Sequence, residues 1–569
     1  MVATYVASFL HLLFSYTLLR IVPVQHLFLF DLVAFPVSLF LLSRDIVVDW
    51  YLPTTAAKAH HTPGDVGKSD AAPRRRLSDK ALSENAKKSK AAEAGEAESM
   101  AASDSGCGKN SVHLHADKGL SFGKIFLLVL NLVSFAMVLD FVYRPVLYPG
   151  DELVVFRPGY VSHRSAKLHI RFPEPDRQLE VRYKELSGGD KVEFAANTPW
   201  ETHTIHQALT NETDYTATLL ISNLSPSTKY LALFRLKLHG TMQIKTAPAP
   251  GTPMKYRFAT GSCIKPNFPY TPTTSPDVFG FANMLEHSDG LDMVMFLGDF
   301  IYSDLPFYFG PEPEDYRRLY RQVYMTKSAQ RLLNKVPMLH VYDDHEIVNN
   351  WHEQDKPPMG AAMRAYHEYN GNPNPDPVEA HHAYYNFTVG NIAFYAWDTR
   401  RQCWAAAQKQ HFMQWLHDVN HTAAVKFVVS SVPVTAGWTN IDSDHDTWRG
   451  YMTERAEILN VTQYVPNLYY LSGDRHEMAA VVLPSGNVEF STSPVSQFTF
   501  PLIGEFKDGE FGEQTLHYRR AGHVKFGILD VDTETNPDAP RVTYSLYTAD
   551  EHGAKRPAWT YESNGVPWR

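Results

Sequence analysis

Three nearly unbroken apolar runs dominate the first quarter of the chain. Thr4 to Val22 and Leu27 to Leu42 are separated by a short break at Pro23, and Ile125 to Val142 stands between Lys124 and Arg144. A helix that crosses a bilayer needs about 20 apolar residues, a length the first run reaches and the second falls short of. His11, Arg20 and Asp31 interrupt the first two runs, while the third is clean. No charged start leads to a small-residue cleavage site, which argues against a removable signal peptide. The pattern predicts two or three spans: a transmembrane hairpin over residues 1–50 and a transmembrane helix over 121–143. Residues 51–120 are rich in Ala, Ser, Lys and Glu, with almost no large apolar side chain. Such a stretch cannot bury enough surface to offset its ordering entropy, so it reads as a low-complexity disordered loop.

From residue 144 to 250 the period changes to two. Lys167 to Phe172 and Leu179 to Tyr183 alternate apolar and polar positions between turn residues, the spacing of a β-sandwich. Asn223 to Tyr230, followed by Leu231 to Leu236, resembles the end of a fibronectin type III-like domain, where a tyrosine pins the strand after a proline-containing corner. Pro248 to Pro253 is the expected linker.

Residues 251–569 show short, fully apolar runs that stop at polar clusters. Tyr256–Ala259 precedes Gly261-Ser262-Cys263, Met293–Leu297 precedes GDFIY, Met338–Val341 precedes YDDHE, Ile392–Trp397 precedes DTR, and Leu468–Leu471 precedes SGDRHE. Unbroken apolar strands imply a sheet covered on both faces, and the carboxyl ends of such strands are where α/β sites assemble. Pro311 to Lys335 reads as helical, with Tyr316, Tyr320 and Tyr324 forming a packing stripe.

Composition narrows the options. Of 569 residues 13% are aromatic, too many for a disordered chain, and three cysteines cannot build a disulfide framework. Lys+Arg 53 against Asp+Glu 62 argues against nucleic acid as a partner. Arg74, Arg75, Arg76, Lys87 and Lys88 place the low-complexity loop on the cytosolic side, and three spans then put the region after Arg144 in a lumen or outside the cell. Five N-x-S/T sequons, at Asn211, Asn223, Asn386, Asn420 and Asn460, all fall in that region and predict a glycoprotein.

The strand ends offer Cys263, Asp299, Tyr302, Asp304, Asp343, Asp344, His345, Glu346, Asp474 and His476. So many carboxylates delivered to one edge need cations, since an unpaired buried charge costs several kcal/mol. Carboxylates suit hard ions such as Ca²⁺, whereas a thiolate beside a phenolate suits a Lewis-acidic iron. Two ions about 3.5–4 Å apart form a clamp for a phosphoryl group, and His345, flanked by carboxylates, is a candidate either to donate a hydrogen bond to the phosphoryl oxygens or to protonate the leaving group. His445, with Asp442, Asp444 and Asp446, reads as a solvated loop. No G-x-S-x-G elbow is evident, which disfavours acyl transfer by a serine.

The ordered series GSC, LGDFIYSD, YDDHEIVNNW, WDTRRQ and LSGDRHE resembles the alkaline phosphatase D (PhoD-like) family of metallophosphoesterases, from about Tyr148 to near the C-terminus. Weaker agreements lie at Asp446–Arg455, Phe490–Phe498 and His523–Asp532. The resemblance implies an α/β fold: a metallophosphoesterase-type β-sandwich core flanked by helices, preceded here by a small all-β sandwich and N-terminal transmembrane helices. It implies ferric iron and calcium, with other divalent metals as substitutes. Cys263 and Tyr302 become iron ligands, Asp299 the bridging aspartate, and His345 the catalytic histidine. Asp344 takes the place of the asparagine in the superfamily's Asn-His motif. Asp474 and His476 stand where late ligands are expected, Asp343 and Asn350 are further ligands, and Arg400 contacts phosphate or forms a structural salt bridge.

The expected function is that of a membrane-anchored phosphoesterase that hydrolyses phosphate esters through a metal-bound hydroxide or oxide. Two alternatives stand beside it: a phosphodiesterase acting on lipid head groups, and a non-catalytic membrane receptor that keeps the fold.

Overall fold

The computed structural model describes residues 2–51, 122–174, 179–186, 200–205, 209–234, 240–272, 275–380, 382–401, 406–439, 442–499, 506–549 and 555–568. The segment read as a disordered loop lies outside these residues, as do Cys107 and Cys403.

Three helices open the chain: α1 (Val2–Arg20), α2 (Gln25–Tyr51) and α3 (Phe122–Leu147). Each has a stretch long and apolar enough to cross a membrane. The second outruns the apolar segment read from the sequence because it continues past Leu42 through Ser43, Arg44 and Asp45, and it tolerates Pro36. The polar interruptions face one another inside the bundle. His11 Nδ1 lies 2.7 Å from Asp31 Oδ1, and His11 Nε2 lies 3.1 Å from the Asn131 carbonyl. Ser15 donates to Asp31 at 3.0 Å, and Ser38 donates to the Asn131 side chain at 2.9 Å. This seam explains why polar residues sit in otherwise apolar helices: they satisfy each other across the interface.

Seven strands follow: β1 (Val155–Val161), β2 (Ala166–Arg171), β3 (Leu179–Glu185), β4 (Glu201–Ile205), β5 (Thr216–Ile221), β6 (Lys229–Phe234) and β7 (Gly240–Lys245). They form two antiparallel sheets, ordered β1-β2-β5 and β4-β3-β6-β7. Leu168, Ile170, Val181, Leu219, Ala232 and Phe234 fill their common core. The Tyr230 hydroxyl accepts the Ser225 N–H at 2.8 Å, which pins the corner before β6.

The remaining elements are β8 (Lys255–Gly261), α4 (Phe279–Glu286), β9 (Met293–Leu297), α5 (Pro313–Tyr324), α6 (Lys327–Lys335), β10 (Met338–Val341), α7 (Met359–Tyr366), β11 (Tyr385–Val389), β12 (Ile392–Ala396), α8 (Ala406–Asn420), β13 (Val425–Val429), α9 (Ser443–Asp446), α10 (Met452–Thr462), β14 (Leu468–Ser472), β15 (Met478–Val482), β16 (Val488–Thr492), β17 (Gln514–Arg519), β18 (Lys525–Asp532), β19 (Arg541–Thr548) and β20 (Trp559–Asn564). One sheet runs β10-β9-β8-β18-β19-β20 and the other β11-β12-β13-β14-β16-β15-β17. The strands β8, β9 and β10 are parallel in the first sheet, as are β12, β13, β14 and β16 in the second. Phe258, Leu297, Phe394, Phe427, Leu471 and Phe490 are buried in one core shared by the two sheets, each contributing about 1.5–3 kcal/mol. The inner strands are covered on both faces, so every residue of β9, β12 and β13 is buried. That is why these strands lack alternation.

The helical stretch after Pro311 is two helices, because Thr326 starts a new one by accepting the Ala329 N–H at 3.3 Å. Tyr316, Tyr320 and Tyr324 are all buried and pack in the core beneath α5, as the stripe predicts.

The helical bundle rests directly on the region after residue 251. Tyr270 donates its N–H to the Leu19 carbonyl at 2.8 Å, Arg20 donates to the Tyr270 carbonyl at 3.0 Å, and the Tyr270 hydroxyl donates to Asp140 at 2.8 Å.

Candidate metal centre

The carboxyl ends of β8, β9, β10, β12, β13 and β14 converge, and the loops that follow carry the polar clusters read from the sequence. Close approach of these loops requires glycine: a Cβ on Gly298 would lie 2.6 Å from that of Asp343, and one on Gly473 2.7 Å from that of Ser262. Several candidate ligands themselves adopt left-handed backbone, with φ of 65° at Cys263, 57° at Asp299, 57° at Asn350, 73° at Asp474 and 56° at His476. Non-glycine residues seldom do so, and each costs of order 1–3 kcal/mol, so their concentration at one edge marks a functional site.

Two donor sets share Asp299. In the first, Asp299 Oδ2 lies 3.4 Å from Cys263 Sγ and 3.0 Å from Tyr302 Oη, and Tyr302 Oη lies 2.8 Å from His476 Nε2. In the second, oxygens of Asp299, Asp343, Asp344 and Asp474 lie within 4.8 Å of one another. A ring nitrogen of His345 approaches Asp299 and Asp344 within the same 4.8 Å limit. Adjacent donors around an ion with bonds near 2.1 Å stand about 3 Å apart, which is the spacing of the first set. Asp299 Oδ1, Asp343 Oδ2 and Asp344 Oδ1 are buried with no hydrogen-bond partner. The residues therefore fit resident cations: a mixed set of thiol, phenol, imidazole and carboxylate, and an all-carboxylate set, meeting at one aspartate.

The electrostatics of the metal-free cluster tell the same story. Burial raises the Asp299 carboxyl well above its ordinary value; Asp344, Asp343 and Glu346 push it further, and His345 opposes them. Burial likewise raises Asp343 and Asp474. The Cys263 thiol and Tyr302 phenol are raised by burial, with Asp299 adding to both, so an adjacent cation is what would ionise them. Burial lowers His476, leaving a neutral imidazole with a lone pair to offer. At His345 burial disfavours the imidazolium, but Asp304, Asp344 and Asp299 outweigh it and hold the group well above its usual value.

The structure brings together Cys263, Asp299, Tyr302, Asp343, Asp344, His345, Asp474 and His476. Asn350 joins them through its backbone, whose N–H donates to Asp344. Arg400 is buried on carboxylates: it pairs with Asp343, donates to Asp446 at 2.7 Å, and lies 3.3 Å from Asp344. Asp304, Asp446 and Arg475 hold places that the sequence reading did not assign. Asp304 Oδ1 lies 2.7 Å from His345 Nδ1. Asp446 differs from the solvated loop expected of it: it is buried, accepting from Arg400 and from Arg475, each at 2.7 Å. Its neighbours Asp444 and His445 are exposed, as that reading expected. The D-T-W-R-G run was the available signal for Asp446, but its partners are 46 and 29 residues away. Glu346 accepts the N–H groups of Asp299, Phe300 and Asp343 at 2.9, 2.6 and 2.7 Å, tying the loops after β9 and β10 together.

Comparison with known proteins bears on this edge. A solved structure of PhoD matches with a TM-score of 0.51 at 17% identity, covering 72% of this chain and 93% of that one. A purple acid phosphatase isolated from yellow lupin (Lupinus luteus) seeds matches with a TM-score of 0.52 at 11% identity, covering 73% of this chain and 74% of that one. At such identities the likeness is one of fold. No curated protein matches the sequence. The family model of PhoD-like phosphatases matches residues 258–539, from within β8 to the turn before β19, and so takes in every side chain of the two donor sets. The motif order, the mixed α/β fold and this match agree: residues 258–539 are a PhoD-like phosphatase domain.

Proposed function

We propose that the chain is a membrane-anchored, metal-dependent phosphoesterase whose site is the edge around Asp299. The observation that carries the reading is the sharing of Asp299 by two donor sets, with two buried carboxylate oxygens, Asp299 Oδ1 and Asp343 Oδ2, left unpartnered. Cys263, Tyr302, His476 and Asp299 suit iron, while Asp299, Asp343, Asp344 and Asp474, with Asn350, suit calcium. Bound there, such ions neutralise the carboxylates, draw charge from phosphoryl oxygens and acidify a water.

The chain's own groups do the rest. Asp304 holds Nδ1 of His345, which leaves Nε2 to carry a proton to the departing ester oxygen. A water gives up a proton to solvent as its oxygen bonds to phosphorus, the phosphorus–ester oxygen bond breaks and that oxygen takes the His345 proton, and solvent then reprotonates His345. Arg400 acts as a positioning residue rather than a phosphate contact: its guanidinium holds Asp343 and Asp446 in place. The helices α1–α3 anchor the chain, and the region after Arg144 lies in a lumen or outside the cell, consistent with exposed sequons at Asn211, Asn223 and Asn460.

The test is release of p-nitrophenol from its phosphate mono- and diesters by the full chain supplied with iron and calcium. Asp299→Asn is expected to cut turnover by about 10³-fold or more and to lower metal content. A folded, metal-loaded protein inert on both aryl esters and on phospholipid esters would refute the reading. In the same preparation, a mobility unchanged by N-glycosidase would argue against the lumenal or extracellular placement.

A further inference from the structure

Aromatic side chains link the metal edge to the helical bundle. The Phe498 ring meets the His476 ring edge-on, with centroids 4.6 Å apart. Phe498 also packs against a cluster that joins Leu18, Leu19, Phe28, Phe141 and Val142 of the three helices to Phe268 and Tyr270 of the loop after β8. Tyr302 has a similar double exposure. A cavity of about 40 Å³ is lined by Ile301, Tyr302 and Lys265 from the metal side and by Phe141, Arg144 and Pro145 from α3. The loops flanking these ligands lean on the same helix ends: Phe307 meets Phe28 and Phe309 meets Tyr143, both with centroids 5.8 Å apart. Phe307, Phe309 and Phe498 are only partly buried.

The link from α3 into β1 is short and held down. Arg321 donates to the Pro149 carbonyl at 2.6 Å, and Gln322 donates to that of Tyr148. The catalytic edge is therefore fixed at the level where α1 ends, α2 begins and α3 ends. For helices that span a bilayer, this level is the head-group layer, where amphipathic aromatic side chains gather.

We infer that the phosphoester handled by this site is lipid-borne: an amphiphile whose tail stays in the bilayer beside α1–α3 while its phosphorus reaches the edge around Asp299. The inference rests on the phosphoesterase reading above. An acyl chain lying beside α1–α3 would meet the partly buried Phe307, Phe309 and Phe498 next to the edge, whereas a small soluble ester gains nothing from them. Hydrolysis proceeds with water oxygen joining phosphorus and the displaced oxygen, on the lipid or on its head group, leaving with a proton.

The experiment uses the full chain in nanodiscs with iron and calcium present. Two pairs of esters share a head group and differ in the tail: dioleoyl phosphatidate against glycerol 3-phosphate, and dioleoyl phosphatidylglycerol against glycerophosphoglycerol. In at least one pair the lipid is expected to be turned over with a kcat/KM at least about tenfold higher, the factor that ~1.4 kcal/mol of tail binding supplies. Phe309→Ser is expected to lower the lipid-to-soluble ratio in that pair. Soluble esters hydrolysed as well as or better than the lipids in both pairs would overturn the inference and leave the phosphoesterase reading standing. Inactivity on all four esters and on p-nitrophenyl phosphates would overturn both.

Discussion

Two regions of this molecule bury acid, and they treat it differently. Beneath the seven-stranded sheet, Glu489 accepts the N–H groups of Val434 and Thr435 at 2.7 and 2.6 Å and the Ser472 hydroxyl at 2.6 Å. Beside it, Glu513 accepts the Ala436 N–H at 2.9 Å and pairs with Arg455. Both carboxylates have partners on both oxygens. At the metal edge, Asp299 and Asp343 each keep a buried oxygen without one, and the buried Asp344 Oδ1 has no hydrogen bond and only the Arg400 guanidinium at 3.3 Å. Burial raises acids in both places, Glu489 to about 7 and Glu346 to about 8. A high carboxyl pKa alone thus does not mark a functional site. The difference is whether the fold supplies the donors or leaves the demand open for a cation.

The largest expected effect comes from filling or emptying that demand. In metal-free protein, Asp299, Asp343 and Asp474 hold protons in the native state above the pH at which the unfolded chain releases them, near 3.8. Native protein then binds more protons than unfolded protein, so its stability falls as pH rises from the ordinary carboxylate range toward neutrality. Metal binding has the opposite slope, because the ligands must be deprotonated. Chelated and metal-loaded protein should therefore diverge in Tm with rising pH, by about 10 °C or more at the alkaline end if several kcal/mol are at stake. Parallel curves would mean that no cation answers the unpartnered oxygens.

A smaller effect separates the proposed ligands from the proposed proton donor. Asp304→Asn should reduce kcat about 10–100-fold with iron and calcium contents unchanged in elemental analysis. Loss of metal in that variant would instead assign His345 to ligation. The least effect on turnover belongs to the other acid. Glu489→Gln should cost about 1–3 kcal/mol in urea unfolding, through backbone donors left poorly matched, while turnover stays within about twofold. A large loss of activity there would erase the distinction between the two regions.

Much of the site was legible because its residues follow strand ends directly. Cys263, Asp299, Asp343 and Asp474 each lie two residues beyond their strand, so an apolar run and a polar cluster sufficed to place them. The Tyr316–Tyr324 stripe and the Tyr230 corner were legible for the same local reason. What escaped was non-local. Asp446 looks like a loop acid until Arg400 and Arg475 arrive from distant strands, and His11 and Asp31 look like flaws in apolar helices until the helices pack. The full length of α2 escaped because polar Ser43, Arg44 and Asp45 continue a helix that hydropathy alone would end. The split between α5 and α6 turns on one threonine hydroxyl, too small a signal against strong helical periodicity.

The left-handed backbone at Cys263, Asp299, Asn350, Asp474 and His476 has a further consequence for anyone wishing to see the substrate. Asparagine and glycine tolerate this conformation as well as aspartate does or better, whereas valine and isoleucine do not. The shape of the cradle is written in the main chain, and a variant such as Asp474→Asn inherits it while losing part of its chemistry. Such a variant is a mould of the working enzyme: it keeps the outline that selects a ligand without consuming it. Soaked with cell extract, it would keep what the native protein would have cut.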